Sequence, residues 1–162
     1  MIIWGGYVSP STTNTGGRYD PTTDSWLQTS TGLNVPTKRD SHTSVWTGSE
    51  MIIWGGDPYI SPSSGGRYNP VSDSWSPTST GANVPINDYL NTAIWTGTEM
   101  VVWGGCCTYN TGGRYNPAPN TWLQTFIGFN TPSPRQSHTA IWTGAEMIVW
   151  GGYNDSASYL NS

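Results

Sequence analysis

The stretch Met-Ile-Ile-Trp-Gly-Gly fills residues 1–6, and near-copies of it return at 51–56, 100–105 and 147–152. A second phrase, Gly-Gly-Arg-Tyr, occupies residues 16–19, 65–68 and 112–115, and a Trp follows each of its tyrosines by seven residues. A third phrase, Val/Ile-Trp-Thr-Gly, ends at residues 48, 97 and 144. All ten Trp residues fall in these three registers. Such a period predicts one structural unit copied in series, with each copy burying its faces on its neighbours.

Four short apolar segments, separated by Gly, Pro and Asn, make up one unit. Around the second copy of the first phrase they are 42–46, 51–54, the residues about Arg67-Tyr68 and the residues about Trp75. Segments of four to six residues rich in Val, Ile, Thr, Tyr and Trp predict β-strands. Apolar residues nowhere recur with the 3.6-residue period of a helix over ten residues or more. The sequence therefore predicts an all-β chain with almost no helix.

The combined phrases resemble the Kelch repeat: a hydrophobic run ending in Gly-Gly, then Tyr, then Trp after a short turn, with Arg and His before the next unit. The resemblance covers essentially the whole chain. It implies a β-propeller of Kelch-type four-stranded blades, and four strands in about fifty residues is the size of one blade. We divide the chain into repeats 1–50, 51–99 and 100–146 with a partial repeat 147–162, all within one propeller segment.

The strand count does not give a whole number of blades. The second strand of the unit occurs four times and the others about three times each, whereas closed propellers have four to eight blades. We therefore expect about three blades plus a partial one, as part of a larger closed ring. The ring would be completed by the remainder of a longer chain or by other copies of this one.

Composition excludes some partners. Only 10% of the residues are charged, the net charge is −4 and Lys38 is the single lysine, which argues against nucleic acid because that ligand requires a basic surface. No stretch has the apolar length of a membrane span. A β-rich composition low in Lys and rich in Trp, Tyr, Thr and Asn is commoner in extracellular and cell-surface proteins, and we expect that location.

Cys106-Cys107 interrupts the repeat directly after a Gly-Gly pair. The pair is compatible with a disulfide between neighbours, with bridges to another chain, with a metal site or with two free thiols. A zinc site requires further Cys or His at ligand spacing, and the chain offers only His42 and His138. Because both histidines occupy one repeat position, we expect them to be structural. We predict a possible disulfide at this pair and no metal site.

Two sets of links vary between units: those that follow the Gly-Gly pairs and those that precede the next unit. In a propeller both sets lie on one face, which we call the loop face. Aromatic side chains there can stack on sugar rings, fill a protein interface or simply cap the blade ends. The candidate ligand- or partner-binding residues are Tyr7, Tyr59, Tyr89, Tyr109 and Tyr153.

Glu50, Glu99 and Glu146 are the only glutamates, and all three precede a repeat Met. Their placement predicts a structural partner, either Arg39 and Arg135 or the hairpin backbone, because residues encoded in every repeat serve repeat packing.

These features predict a non-enzymatic extracellular module for binding or structural assembly, without a cofactor and without catalytic residues. Its expected partner is a protein or a glycan. The alternative is an enzyme. The Kelch resemblance implies precedents such as copper-dependent sugar oxidases, whose copper site takes two Tyr and two His with one Tyr cross-linked to a Cys, and sugar epimerases. Nothing in this sequence identifies such a ligand set.

Overall fold

The computed structural model describes residues 1–56, 63–86, 89–106, 109–154 and 159–161. Within these ranges the chain contains strands, turns and loops but no α-helix, so the all-β prediction is confirmed there. It follows that the described residues include no helix of the length and apolar character needed to cross a membrane.

Four antiparallel sheets follow one another along the chain, and we number them in that order. Sheet 1 contains β1 (Ile2–Trp4), β4 (Gly16–Asp20) and β5 (Ser25–Gln28). Sheet 2 contains β6 (Thr43–Trp46), β7 (Met51–Trp54), β8 (Gly65–Asn69) and β9 (Ser74–Pro77). Sheet 3 contains β10 (Thr92–Trp95), β11 (Met100–Trp103), β12 (Gly112–Asn116) and β13 (Thr121–Gln124). Sheet 4 contains β14 (Thr139–Trp142) and β15 (Met147–Trp150). A small hairpin of β2 (Tyr7–Val8) and β3 (Ser11–Thr12), which the sequence did not predict, follows β1.

The strands of sheets 2 and 3 run in simple sequence order, so each strand pairs with the next one along the chain. Within the described residues, sheet 1 has no counterpart of β6 and sheet 4 has only the first two strands of the pattern. The sequence predicted three blade-sized sheets and a partial fourth. The structure has two complete four-stranded sheets, a three-stranded one and a two-stranded one.

The glycine pairs of the sequence have two different structural reasons. In the Gly-Gly-Arg-Tyr phrase, Gly65 pairs with Trp54, and a Cβ on it would collide with the carbonyl oxygen of Ile53. In the pair that ends the second strand, Gly55 and Gly56 have φ angles of 73° and 110°, a region that favours glycine. One glycine pair is thus required by a close approach of the neighbouring strand and the other by its backbone angles.

The hydrophobic core lies between the sheets. One cluster joins Trp4 of sheet 1 to Met51, Ile53, Tyr68 and Trp75 of sheet 2. The corresponding cluster between sheets 2 and 3 has these buried members: Val45, Ile52, Trp54, Met100, Val102, Tyr115 and Trp122. Strand β10 contacts both β6 and β14, so the first strands of successive sheets are neighbours.

Candidate functional site

Each complete sheet turns one face, which we call the acceptor face, toward the sheet that precedes it in the chain. Four apolar residues at fixed repeat positions form this face, because residues two apart on a strand share a side of the sheet. In sheet 2 they are Met51, Ile53, Tyr68 and Trp75, and in sheet 3 they are Met100, Val102, Tyr115 and Trp122. All eight are buried.

The opposite face of each sheet, the donor face, supplies a Trp to this contact. The rings of Trp4 and Trp75 lie 5.1 Å apart at 58°, and those of Trp54 and Trp122 lie 4.4 Å apart at 55°. Tilted aromatic pairs at this separation stabilise a contact beyond the area that they bury. The two inter-sheet contacts are thus built from the same pair of repeat positions.

Hydrogen bonds across the sheet boundaries repeat in the same way. The indole Nε1 of Trp75 donates to the carbonyl oxygen of Ser30 at 3.0 Å, and that of Trp122 donates to Ser79 at 3.1 Å. In return, the Ser30 N–H donates to Asp73 Oδ1 at 2.9 Å. The Ser79 N–H donates to Asn120 Oδ1 at 2.8 Å. Asp73 and Asn120 share one repeat position, and the side-chain oxygen of each accepts the same hydrogen bond across a sheet boundary.

An arginine and a proline complete each boundary. Arg18 Nη1 of sheet 1 donates to the Pro70 carbonyl of sheet 2 at 2.6 Å, and Arg67 Nη1 of sheet 2 donates to Pro117 of sheet 3 at 2.7 Å.

A second proline at each boundary, Pro36 or Pro85, comes from the link that leaves the preceding sheet. A Cβ on Gly66 would lie 2.5 Å from Pro36, and one on Gly113 would lie 3.0 Å from Pro85. Glycine at these positions lets the preceding link pack directly on the strand.

Sheet 1 carries the same acceptor face, but no preceding sheet of the described chain covers it. Its residues are Met1, Ile3, Tyr19 and Trp26. The first two are 68% and 54% exposed and Trp26 is 49% exposed, whereas their counterparts in sheets 2 and 3 are buried. A concavity of about 460 Å³ opens beside Ile3, Gly17 and Thr29 on this side of the molecule.

The free edge of β1 is a second incomplete feature of sheet 1. In sheet 2 the equivalent edge of β7 pairs with β6, with Val45 opposite Ile52. At the edge of β1, a groove of about 450 Å³ lies where sheet 2 has its first strand. The groove is lined by Met1, Ile2, Ser44, Val45, Trp46 and Met51.

Two residues near the other end of the sheet series, Pro132 and Trp150, are exposed although their repeat equivalents are buried. Pro132 stands at the repeat position of Pro36 and Pro85, but it is exposed, whereas those two prolines are buried. Trp150 of β15 is 59% exposed, although Trp54 at the same repeat position is completely buried.

Four of the five predicted tyrosines lie among the residues that the structure describes. Tyr7 lies exposed on the β2–β3 hairpin, and Tyr109 is exposed beside Pro85 and Asn91. Tyr153 forms an isolated antiparallel β-bridge with Gln136. Its ring centroid lies 6.4 Å from that of Tyr159. Tyr59 lies outside the described residues.

Cys106 is disulfide-bonded, and its N–H donates to the carbonyl oxygen of Tyr89 at 3.0 Å. The Tyr89 hydroxyl oxygen lies 3.1 Å from the sulfur, within hydrogen-bond distance. Cys107, the other cysteine of the chain, lies outside the described residues. Tyr89, one of the predicted binding residues, is thus occupied in holding Cys106.

The two histidines pack edge-on against repeat tryptophans. His42 contacts Trp4 at 5.7 Å and 74°, and His138 contacts Trp103 at 5.4 Å and 77°. His138 Nε2 also lies 2.7 Å from the Thr92 hydroxyl of the neighbouring sheet.

Their surroundings disfavour the charged form of both rings. Burial, reinforced by the positive charges of Arg39 and Arg135 respectively, lowers the pKa of His42 and of His138 to about 4. The histidines are therefore neutral in the folded protein at physiological pH.

The glutamates have different partners from the arginines that we expected. Glu50 lies 3.9 Å from Arg67, and Glu99 lies 3.6 Å from Arg114. Glu50 and Glu99 therefore have a structural partner within the repeat, but it is neither Arg39 nor Arg135, the first of the two alternatives. The buried guanidinium of Arg39 instead donates to backbone carbonyl oxygens near the end of the next sheet, those of Gly55 and Ser64, each at 2.8 Å.

Arg135 makes the same kind of contact at the last sheet, where its Nη1 donates to the carbonyl oxygen of Gly151 at 3.1 Å. Burial lowers the pKa of Arg39 to about 10, which still leaves its side chain charged at neutral pH.

No three His, Cys, Asp or Glu side chains in the described part of the chain lie close enough together to hold a metal ion. A comparison with protein-family models gives no match for this chain, and a comparison with curated proteins gives none either.

The repeat pattern predicts that each unit buries its faces on its neighbours, but the four residues of the acceptor face were not named from the sequence. The signal was available: in each Met-x-Ile/Val-Trp phrase, the Met and the third residue lie two apart and so share a side of the strand.

Proposed function

We propose that this protein is a non-enzymatic assembly module, a segment of a Kelch-type propeller that binds a further sheet of the same kind through its exposed acceptor face. One observation carries the proposal. The residue set that is buried at two successive sheet boundaries recurs on sheet 1, where Met1, Ile3 and Trp26 are about half exposed or more. Exposed apolar patches of this kind mark interaction sites in soluble proteins.

The magnitude supports association. Together the four residues of this face expose on the order of 300 Å² of apolar surface. At about 25 cal/mol per Å², covering that area contributes roughly 7 kcal/mol. This is comparable with the whole stability of a domain, which is about 5–15 kcal/mol. A partner that covers the face therefore stabilises the protein substantially.

A propeller is the closed form that fits this series of sheets. Each complete sheet has four antiparallel strands in sequence order, and the first strands of neighbouring sheets contact each other. In a propeller, four-stranded sheets of this kind surround a central channel.

An extracellular location agrees with two features of the chain. Only 10% of the residues are charged, and Cys106 is disulfide-bonded. Disulfides persist in oxidising compartments and are rare in the cytosol.

The test compares two exposed positions of sheet 1 in sedimentation velocity over a concentration series. Ile3→Lys introduces a charge on the acceptor face and should keep the protein monomeric where the wild type associates. Leu27→Lys is the matched control, because Leu27 is 61% exposed and its repeat equivalent Leu123 stays exposed even within the stacked sheets. Association that responds equally to both changes, or no association of the wild type, would contradict the proposal.

A second candidate function is binding of a glycan or protein by the loop face, favoured by the exposed rings of Tyr7 and Tyr109. Aromatic rings on exposed loops are suited to stacking on sugars and to protein contacts. The double change Tyr7→Ser/Tyr109→Ser should abolish retention on immobilised polysaccharides without changing the melting temperature. Retention of the wild type that survives this double change would contradict loop-face binding.

A further inference from the structure

Strand β1 has one edge without a partner strand among the described residues. Its other edge pairs with β4. Unpaired strand edges are templates for the addition of another strand. The adjoining groove already has an apolar lining that includes Ile2, Val45 and Trp46. An added strand would therefore gain both ladder hydrogen bonds and side-chain contacts.

The sequence that fits this edge can be read from the complete sheets. The strand at the equivalent position is Thr-Ser-Val-Trp in sheet 2 and Thr-Ala-Ile-Trp in sheet 3. Strand β14 is again Thr-Ala-Ile-Trp, identical to β10 at all four residues. The chain thus contains, at its other end, a strand with the sequence that the free edge requires.

Strand β14 already pairs with β15, so it would have to exchange partners. The exchange is nearly neutral in pairing, because β15 is Met-Ile-Val-Trp and residues 1–4, which include β1, are Met-Ile-Ile-Trp.

The two strands are not held equally. Trp4 of β1 is buried in the cluster between sheets 1 and 2, whereas Ile148 and Trp150 of β15 are largely exposed. Strand β15 is therefore the one that leaves, and β1 stays in place.

Pro132, in the link before β14, and Gly17, on β4, occupy the repeat positions that are in contact at the complete sheet boundaries. Pro132 is exposed, and its repeat equivalents Pro36 and Pro85 each pack on the second glycine of the next Gly-Gly-Arg-Tyr phrase. Gly17 is the glycine of that kind in sheet 1, and the nearest groups to a Cβ there belong to Trp26 and Leu27 of its own sheet. Docking of a second copy would bring Pro132 onto Gly17.

The arginine of the boundary has a matching acceptor too. Arg114 stands where Arg18 and Arg67 reach the proline carbonyl of the following sheet, and the turn after β4 offers the carbonyl of Pro21.

We propose that β14 of one copy leaves β15 and pairs with the free edge of β1 in a second copy, so that the two copies share a completed four-stranded sheet. By the register of the complete sheets, Ala140 then lies opposite Ile3 and Ile141 opposite Ile2. This inference rests on the proposed assembly function and names its partner.

The experiment mixes two full-length variants with different tags, Ile3→Cys and Ala140→Cys, under mild oxidation. Peptide mass spectrometry then identifies which cysteines are joined, which also separates any links to the native cysteines. The control replaces Ala140→Cys by Ile141→Cys, because a shift of one residue turns the side chain to the other face of the strand. We expect the 3–140 link to exceed the 3–141 link at least tenfold.

Hydrogen exchange of the unmodified protein provides an independent measurement in case a cysteine variant fails to fold. On raising the concentration, amides of residues 2–4 should gain protection while those of residues 147–150 lose it. Association without this reciprocal change, or equal 3–140 and 3–141 links, overturns the strand exchange but leaves the assembly function standing. A wild type that stays monomeric at every concentration overturns both.

Discussion

Replacement of Trp54 by Ala, compared with the same replacement at Trp150, tests the inter-sheet packing. Both residues end the second strand of a sheet at one repeat position, so local propensity and register are matched. Trp54 is completely buried, with its ring 4.4 Å from that of Trp122, whereas Trp150 is 59% exposed. The difference between the two losses in free energy of unfolding therefore measures how much the burial of Trp54 between sheets stabilises the protein.

The magnitudes follow from area and packing. A fully buried Trp removes roughly 150–250 Å² from water, and Trp→Ala in a core typically costs about 3–5 kcal/mol. Loss of the tilted pair with Trp122 adds about 0.5–1.5 kcal/mol. We therefore expect Trp54→Ala to lower the free energy of unfolding by about 5 kcal/mol. Trp150→Ala should lower it by about 1–2 kcal/mol, in proportion to the smaller area that this side chain buries.

The assay is urea-induced unfolding followed by far-UV circular dichroism at low protein concentration, so that association does not contribute. At about 2–4 °C per kcal/mol for a chain of this size, the melting temperature of Trp54→Ala should fall by roughly 10 °C or more. Equal losses at the two positions, or a Trp54→Ala protein within about 1 kcal/mol of the wild type, would refute the assignment of the core to the sheet boundaries.

Three further changes test individual contacts. Trp122→Phe removes the indole donor to Ser79 and should lower the free energy of unfolding in urea by about 1 kcal/mol. Trp26→Phe on the exposed face should lower it less. Equal losses would contradict the cross-boundary hydrogen bond. Because the pKa of His138 is lowered to about 4 from an ordinary 6.5, the unfolded chain binds the proton first as pH falls, so stability is complete above about pH 6.5 and declines toward pH 4. His138→Asn, which copies Asn91 of the neighbouring unit, should flatten that decline by up to about 3 kcal/mol, and an unchanged pH profile would show that the ring is not buried as a neutral group. Arg39→Met removes a guanidinium that donates to Gly55 and Ser64 and should cost about 2–3 kcal/mol, whereas Lys38→Met beside it should cost a few tenths; the account of Arg39 fails if the two variants melt together.

Much of the fold could be predicted from the sequence because each unit repeats the same local signals. The Thr-Gly turn before Glu50, the Gly-Gly pair after Trp54 and the alternating strand residues all specify the hairpins without reference to distant contacts. The strand bounds around Trp46, Trp54 and Trp75 agree with the sequence prediction for that reason. The β2–β3 hairpin was not predicted because it occurs once and has no repeat to support it.

The candidate site was harder to predict because it depends on which sheet covers which face. The sequence shows that Trp26 and Trp75 occupy one repeat position, but only the order of the sheets shows that Trp75 is buried and Trp26 is not. The ion pair of Glu50 with Arg67 was missed for a similar reason. These residues are far apart in sequence and meet through the pairing of β7 with β8.

A native mass spectrum of the unmodified protein tests the central claim most directly, because the claim is that the exposed faces of this chain complete each other. We expect a concentration-dependent species of at least twice the 17.6 kDa chain mass, in which one copy covers the exposed acceptor face of another. A single species of 17.6 kDa at all accessible concentrations, from a protein that still unfolds in one sharp cooperative transition, would contradict it.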